Sequence, residues 1–126
     1  MKNIHVAAKE AVEAGQLLQV VLADEEGLIV ENIGKQFPPE ALIASFLGTG
    51  SAIDRIRELL GVGPIEELVV RLSTENLRLS GRFFLADDEY YLLIMVVPPG
   101  SGYRVLSTRL IQSFSDRVEG VEVNLE

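Results

Sequence analysis

The sequence predicts one α/β domain of the α+β type, a five-stranded, mainly antiparallel sheet with one long helix on one face and two helices on the other. Three observations lead there. The segments Leu17–Ala23 and Tyr90–Val97 are apolar at nearly every position, as strands covered by helices on both faces are. A long helical stretch from Pro38-Pro39 to Leu60 lies between them. The remaining apolar segments are bounded by turn-forming residues, at spacings that suit a hairpin before the long helix and a three-strand meander after it.

The elements follow in order. Asn3 is a plausible N-cap, and Ile4, Ala8, Ala11 and Val12 then fall on one stripe, which predicts an amphipathic helix to about Ala14. Leu17–Ala23, the turn Asp24-Glu25-Glu26-Gly27 and Leu28–Ile33 predict the hairpin. Gly61 and Gly63, before Pro64, stop the long helix at Leu60. Ile65–Leu72, the turn Ser73–Asn76, Leu77–Ala86, the turn Asp87–Glu89 and Tyr90–Val97 predict the meander. Pro98-Pro99-Gly100 closes the last strand. A final helix is expected from Ser101 or Gly102 to about Arg117, with Val118–Glu126 as a loose tail. The domain is thus expected to span residues 1–117. Glu31, Asn32, Glu66, Glu67 and Arg71 place Leu28–Ile33 and Ile65–Leu72 toward the sheet edges, with the two apolar strands meeting in the middle.

Composition narrows the function. Apolar residues make up 48% and charged residues 24% of 126, and no apolar run approaches the roughly 20 residues of a membrane helix. No membrane insertion is expected. The start Met1-Lys2-Asn3-Ile4-His5 lacks a secretory h-region, and with no cysteine in the chain the expectation is a cytoplasmic protein. Nineteen acids against 11 bases give a formal charge of −8, with the bases spread singly. Only Arg55/Arg57 and Arg78/Arg82 come close to a cluster, so nucleic acid is not an expected partner.

Three segments stand out together: Val20-Val-Leu-Ala-Asp-Glu-Glu-Gly-Leu-Ile-Val30, the Ala- and Leu-rich helix from Glu40-Ala-Leu-Ile-Ala-Ser-Phe-Leu47 through Leu60, and Gly102-Tyr-Arg104 leading into the last helix. In element order and texture they resemble the roadblock (dynein light-chain) family. The resemblance spans roughly residues 3 to 117 and implies a roadblock/profilin-like sheet. It also implies a homodimer that regulates or scaffolds a Ras-like small GTPase without a catalytic site of its own. The Gly48-Thr-Gly50-Ser51 run departs from the family's pattern within the long helix.

The long helix is the most informative segment. From Ala41 to Ile53, thirteen consecutive residues carry no charge. At about 100° per residue, Leu42, Phe46, Ile53, Ile56 and Leu60 share a narrow arc, which is expected to lie on the sheet. The opposite arc holds Ala44, Leu47, Gly48, Ser51, Arg55 and Glu58. An outer face normally carries Lys and Glu, yet here its first three turns are small or apolar, so this side is expected to meet another protein. Small groups at Ala44, Gly48 and Ser51 or Ala52 would let a second helix approach closely, a twofold copy being the commonest such partner. The alternatives are a helix buried on both sides within a monomer, or one broken at Gly48. The resemblance adds the following edge strand, with Glu67, Val69 and Arg71, to the dimer surface.

No catalytic or cofactor motif is expected to operate. Gly34-Lys35 is followed by Gln36 where a phosphate loop needs Ser or Thr, and Val105 in Gly100-Ser-Gly102-Tyr-Arg-Val105 stands where a dinucleotide fingerprint needs Gly or Ala. His5 is the only histidine and has no cysteine to pair with, so it reads as a surface residue. Asp24-Glu25-Glu26 and Asp87-Asp88-Glu89 lack the spacing of a calcium loop and read as solvated turns. Arg55 and Arg57 could meet an acidic partner or pair with Asp54 and Glu58. Two other functions stay open. One is a structural adaptor of the motor light-chain kind, with no effect on GTP hydrolysis. The other is a profilin-like or PAS-like sensor, for which the interior offers few polar groups beyond Gln19, Ser80 and Tyr90.

Overall fold

The computed structural model describes residues 3–114 and 118–119. Its elements are α1 (Ile4–Glu13), β1 (Gln19–Asp24), β2 (Ile29–Gly34), α2 (Pro39–Leu60), β3 (Glu67–Leu72), β4 (Leu77–Ala86), β5 (Glu89–Val97), α3 (Tyr103–Phe114) and β6 (Val118–Glu119). The main strands form one antiparallel sheet in the order β2-β1-β5-β4-β3, with β6 pairing to the end of β4. The two apolar strands are therefore neighbours near the middle, and β2 and β3 are the edges, as their composition predicts. Strand β1 begins later than expected because Leu17 completes the turn that ends α1, its amide donating to the Ala11 carbonyl at 3.3 Å. Val118 and Glu119, expected in the loose tail, pair with Ala86 and Leu85. The expected continuation of the last helix to Arg117 lies outside the described residues.

Two cores form on opposite faces of the sheet. Helices α1 and α3 cover one face, burying Ile4, Ala8, Leu17, Leu22, Met95 and Ile111, with Phe84, Tyr91 and Phe114 in ring contact beside them. Helix α2 alone covers the other, where Leu42, Ile43 and Phe46 pack on Val21, Leu92, Ile94 and Val96. Phe46 reaches β4 because Gly81 stands beneath it, and a Cβ at Gly81 would enter the phenyl ring.

Gln19 fixes where α2 begins. Its side chain is fully buried, donates through Nε2 to the Phe37 carbonyl (2.9 Å) and to Asn32 Oδ1 (3.0 Å), and accepts from the Phe37 amide (2.8 Å). A buried amide group that meets all these needs ties the loop after β2 to the central sheet, so the helix starts from a fixed point. Pro38 and Pro39 then set the entry, since a proline in the first turn loses no intrahelical bond.

The helix is one continuous piece of 22 residues, unbroken at Gly48 or Gly50. It leaves the sheet along its length. Leu42, Ile43 and Phe46 are buried and Ile53 is half-buried, whereas Ile56 and Leu60, expected on the sheet, are 52% and 69% exposed. The cause is local. Gly50 rides over the Phe83 ring at about contact distance, 3.4 Å from an added Cβ, and beyond this aromatic prop the last turns have no strand beneath them.

Gly81→Ala should destabilise the fold by about 1–3 kcal/mol through overpacking against Phe46, although alanine is otherwise at least as good as glycine in a strand. A lowered urea midpoint checks it. Gln19→Leu keeps the volume but orphans the Phe37 amide and carbonyl, and should cost about 2 kcal/mol in the same measurement.

Candidate partner-binding surface

The surface begins with the outer side of α2. Ala44, Gly48, Ser51, Ala52, Arg55 and Glu58 are all exposed. Nothing lies within 4 Å of a Cβ built on Gly48. The hydroxyls on this side turn back onto the helix, Ser45 Oγ donating to the Ala41 carbonyl (2.8 Å) and Ser51 Oγ to that of Leu47 (3.3 Å). Past Glu40 in the first turn, this side carries no charge as far as Ile53. Leu47 is a correction: expected on this outer arc, it is half-buried, with Cδ1 against Gly27 in the β1–β2 turn. The wheel places it at the margin of the buried arc, and the turn folds over to meet it.

The C-terminal turns add apolar groups that the helical wheel assigned elsewhere or passed over. Leu59 is 84% exposed, and Ile56, Leu60 and Val62 join it. Arg57 closes the helix, donating from Nε to Asp54 Oδ1 (3.2 Å) and from Nη1 to the Val62 carbonyl (3.4 Å). Of the two late-helix arginines, Arg57 is thus engaged within the chain, while Arg55 is exposed. Between these turns and the segment entering β3 lies a groove of about 360 Å³, with Leu47, Gly50, Ile65 and Phe83 as its apolar lining and Asp54 and Arg57 at its rim.

Strand β3 continues the surface, with a corrected side-chain order. Glu67 faces the α3 layer, where its Oε2 accepts from Ser80 Oγ (3.3 Å) and its Oε1 lies 3.9 Å from Arg104 Nη2. Val69 and Arg71 share that face by strand alternation. The residues turned toward the α2 side are Leu68 and Leu72, both only partly buried, and Val70, which is 40% exposed. On β4 the same face carries Leu79 and Phe83, again only partly buried. The signal for these was present as Leu68-Val-Val70 and Leu59-Leu60, but the face each would take depends on register and on the helix's path.

The other candidate groups have in-chain roles. His5 Nδ1 lies 2.8 Å from Glu31 Oε1 on the surface. Asp24 Oδ1 accepts from the amides of Glu26 (2.9 Å) and Leu28 (3.0 Å), so its carboxylate builds the turn. Asp87 and Asp88 both have positive φ, the conformation of a tight hairpin turn. Gln19 and Ser80 are buried and bonded, and Tyr90, the third polar group considered for an interior pocket, is 59% exposed at the strand end. No helix among the described residues is long and apolar enough to cross a membrane.

Sequence comparison matches the chain to no family model and to no curated protein. Solved structures do match its fold. MglB of Myxococcus xanthus superposes with a TM-score of 0.71 at 12% identity, over 90% of this chain and 92% of that one. The gliding protein MglB of Thermus thermophilus gives 0.67 at 18% identity over 92% and 91%, and an MglB with tetrameric arrangement gives 0.72 at 17% over 90% and 85%. The three helices and five-stranded antiparallel sheet are therefore a roadblock-type fold like that of MglB.

Proposed function

We propose that this chain is a non-catalytic interaction module that works as a homodimer and regulates or scaffolds a Ras-like small GTPase. One observation carries the dimer: the α2 face of the sheet is too wide for its helix. Five strands about 4.8 Å apart span about 19 Å, and a helix with its side chains is about 10–12 Å across. Helix α2 packs mainly on β1, β2 and β5 and touches β4 through Phe46 on Gly81 and Gly50 on Phe83, leaving Leu68, Leu72, Leu79 and Phe83 partly covered and Val70 exposed. A second α2 from a twofold copy fits the space beside the first. The outer groups Ala44, Gly48, Ser51 and Ala52 permit close approach, Leu59 and Leu60 supply apolar area, and Arg55 and Glu58 supply polar contacts at the rim. The exposed edge of β3, with Glu67, Val69 and Arg71 turned to the other face, would lie at the same twofold.

The GTPase reading rests on the roadblock resemblance and the MglB-like fold. Paired α2 helices form a broad platform of small and apolar groups. Such a platform acts by binding one arrangement of a partner's switch loops more tightly than another, which changes turnover without donating a catalytic group. The adaptor reading uses the same surface and differs only in leaving hydrolysis unchanged.

Gly48→Arg should give a folded monomer, because the position is open in the subunit yet central to the helix pair. Light scattering checks the mass and circular dichroism the fold; an unchanged dimer mass removes this face from the interface. With a Ras-like GTPase that binds the wild-type protein, the GTP hydrolysis rate should change on mixing, and Gly48→Arg should abolish the change. Binding with an unaltered rate selects the adaptor.

A further inference from the structure

We infer that the end of the sheet where β3 turns into β4 is a docking notch for an extended acidic segment of a partner protein, on the face opposite α2. Arg71 and Arg78 are direct cross-strand partners, and Arg78 pairs onward with Val97, a residue of the α1–α3 core, which fixes the face. Like charges placed directly opposite one another weaken a strand pair. Among the described residues no ion pair relieves this one, Glu75 in the connecting turn included. Both side chains are exposed. In a chain with 19 acids and 11 bases, a carboxylate at either position would remove the repulsion, so the uncompensated pair calls for a partner's negative charge. Guanidinium groups suit that task because their planar fork matches a carboxylate.

The arginines are set in a shaped surface. With Asn76 and the Pro98-Pro99-Gly100 ridge they enclose a hollow of about 120 Å³, room for a carboxylate group. Across the same ridge a groove of about 350 Å³ carries Val105, Leu106 and Arg109. Its wall is held by Ser101 Oγ, which donates to the Gln16 carbonyl at 2.7 Å and so ties the loop before α3 to the loop after α1. The ridge thus has Arg71 and Arg78 on one side and Val105, Leu106 and Arg109 on the other, so a segment carrying both acidic and apolar residues suits it.

The scale of screening favours a peptide over a longer polyanion. Charges more than about 8 Å apart are largely screened at physiological salt, so a short acidic segment feels the local arginines rather than the net −8. A duplex or an anionic bilayer extends over many such lengths and meets the acidic remainder of the subunit.

The test uses the full chain and a fluorescein-labelled peptide of alternating Glu and Leu, read by anisotropy, against the same peptide with Gln for Glu. The Glu peptide should bind at low salt, weaken as salt rises, and lose about two- to thirtyfold in affinity to an Arg71→Glu/Arg78→Glu variant, in line with the loss of two exposed charge pairs. Gly48→Arg should bind it like wild type, which separates this site from the α2 surface. Arg71→Glu alone turns a repulsive cross-strand pair into an attractive one, so its urea midpoint should hold or rise. No binding of the Glu peptide, equal binding by the double variant, a fallen midpoint, or tighter binding of a single-stranded oligonucleotide or phosphatidylserine vesicles would each overturn the proposal.

Discussion

A single helix about 10–12 Å across rests on a sheet face about 19 Å wide, and the character of this chain follows from that mismatch. On the opposite face α1 and α3 lie side by side, and strand residues such as Leu22, Leu93 and Met95 are almost wholly buried. On the α2 face Val21, Ile94 and Val96 are equally buried, but Leu68, Leu72, Leu79 and Phe83 at the β3–β4 end are not. Both faces are open at β3, where Val69 and Val70 are about equally exposed, but on the α2 face the partly covered apolar row extends onto β4. Partly covered apolar rows of this kind are the surface on which the proposed helix pairing rests.

The path of α2 answers to the same constraint. Anchored by Gln19 at its start and seated by Phe46 on Gly81, the helix then climbs over Phe83 and carries its last turns off the sheet. Between Ala41 and Ile53 its outer side presents a glycine with open space around it, alanines and self-satisfied serines, and its last turns mix Arg55 and Glu58 with exposed Leu59 and Leu60. This composition is what the proposed dimer requires of a helix that packs on its own sheet by one side and on a second helix by the other.

How much of this the residues disclose depends on range. The order of elements and the central place of β1 and β5 are legible because burial on both faces erases strand alternation, a local effect. The apolar arc of α2 is legible too, but not the point at which it stops touching the sheet. Ile56 and Leu60 sit on the same arc as Phe46, yet they lie farther along the helix, past the point where Gly50 rides over Phe83 of β4, and are exposed. Leu47 is drawn inward by a turn twenty residues upstream, with Gly27 as its contact. Glu67 reads as an edge charge, yet the register that sets it opposite Arg82 turns it to the α3 layer, where Ser80 and Arg104 meet it. Gln19 reads as a polar intruder in an apolar strand and is the clamp of the loop before α2.

Charge shows the same dependence on folding. Along the chain the bases look dispersed and the balance simply acidic, but the hairpins sort them. The turns at Asp24–Gly27 and Asp87–Glu89 lie at one end of the sheet, since Asp24 pairs with Tyr91 and Ala86 with Glu89. There the Tyr91 phenol is held above its ordinary range, first by burial and then by the negative charges of Glu89, Asp87 and Asp24. Arg71 and Arg78, seven positions apart in sequence, become neighbours at the other end only because β3 pairs with β4. A net charge of −8 describes the molecule seen from far away, whereas a partner within a screening length meets one end or the other. The subunit thus offers two unlike surfaces, an apolar one on the α2 face and a basic one at the β3–β4 end of the opposite face.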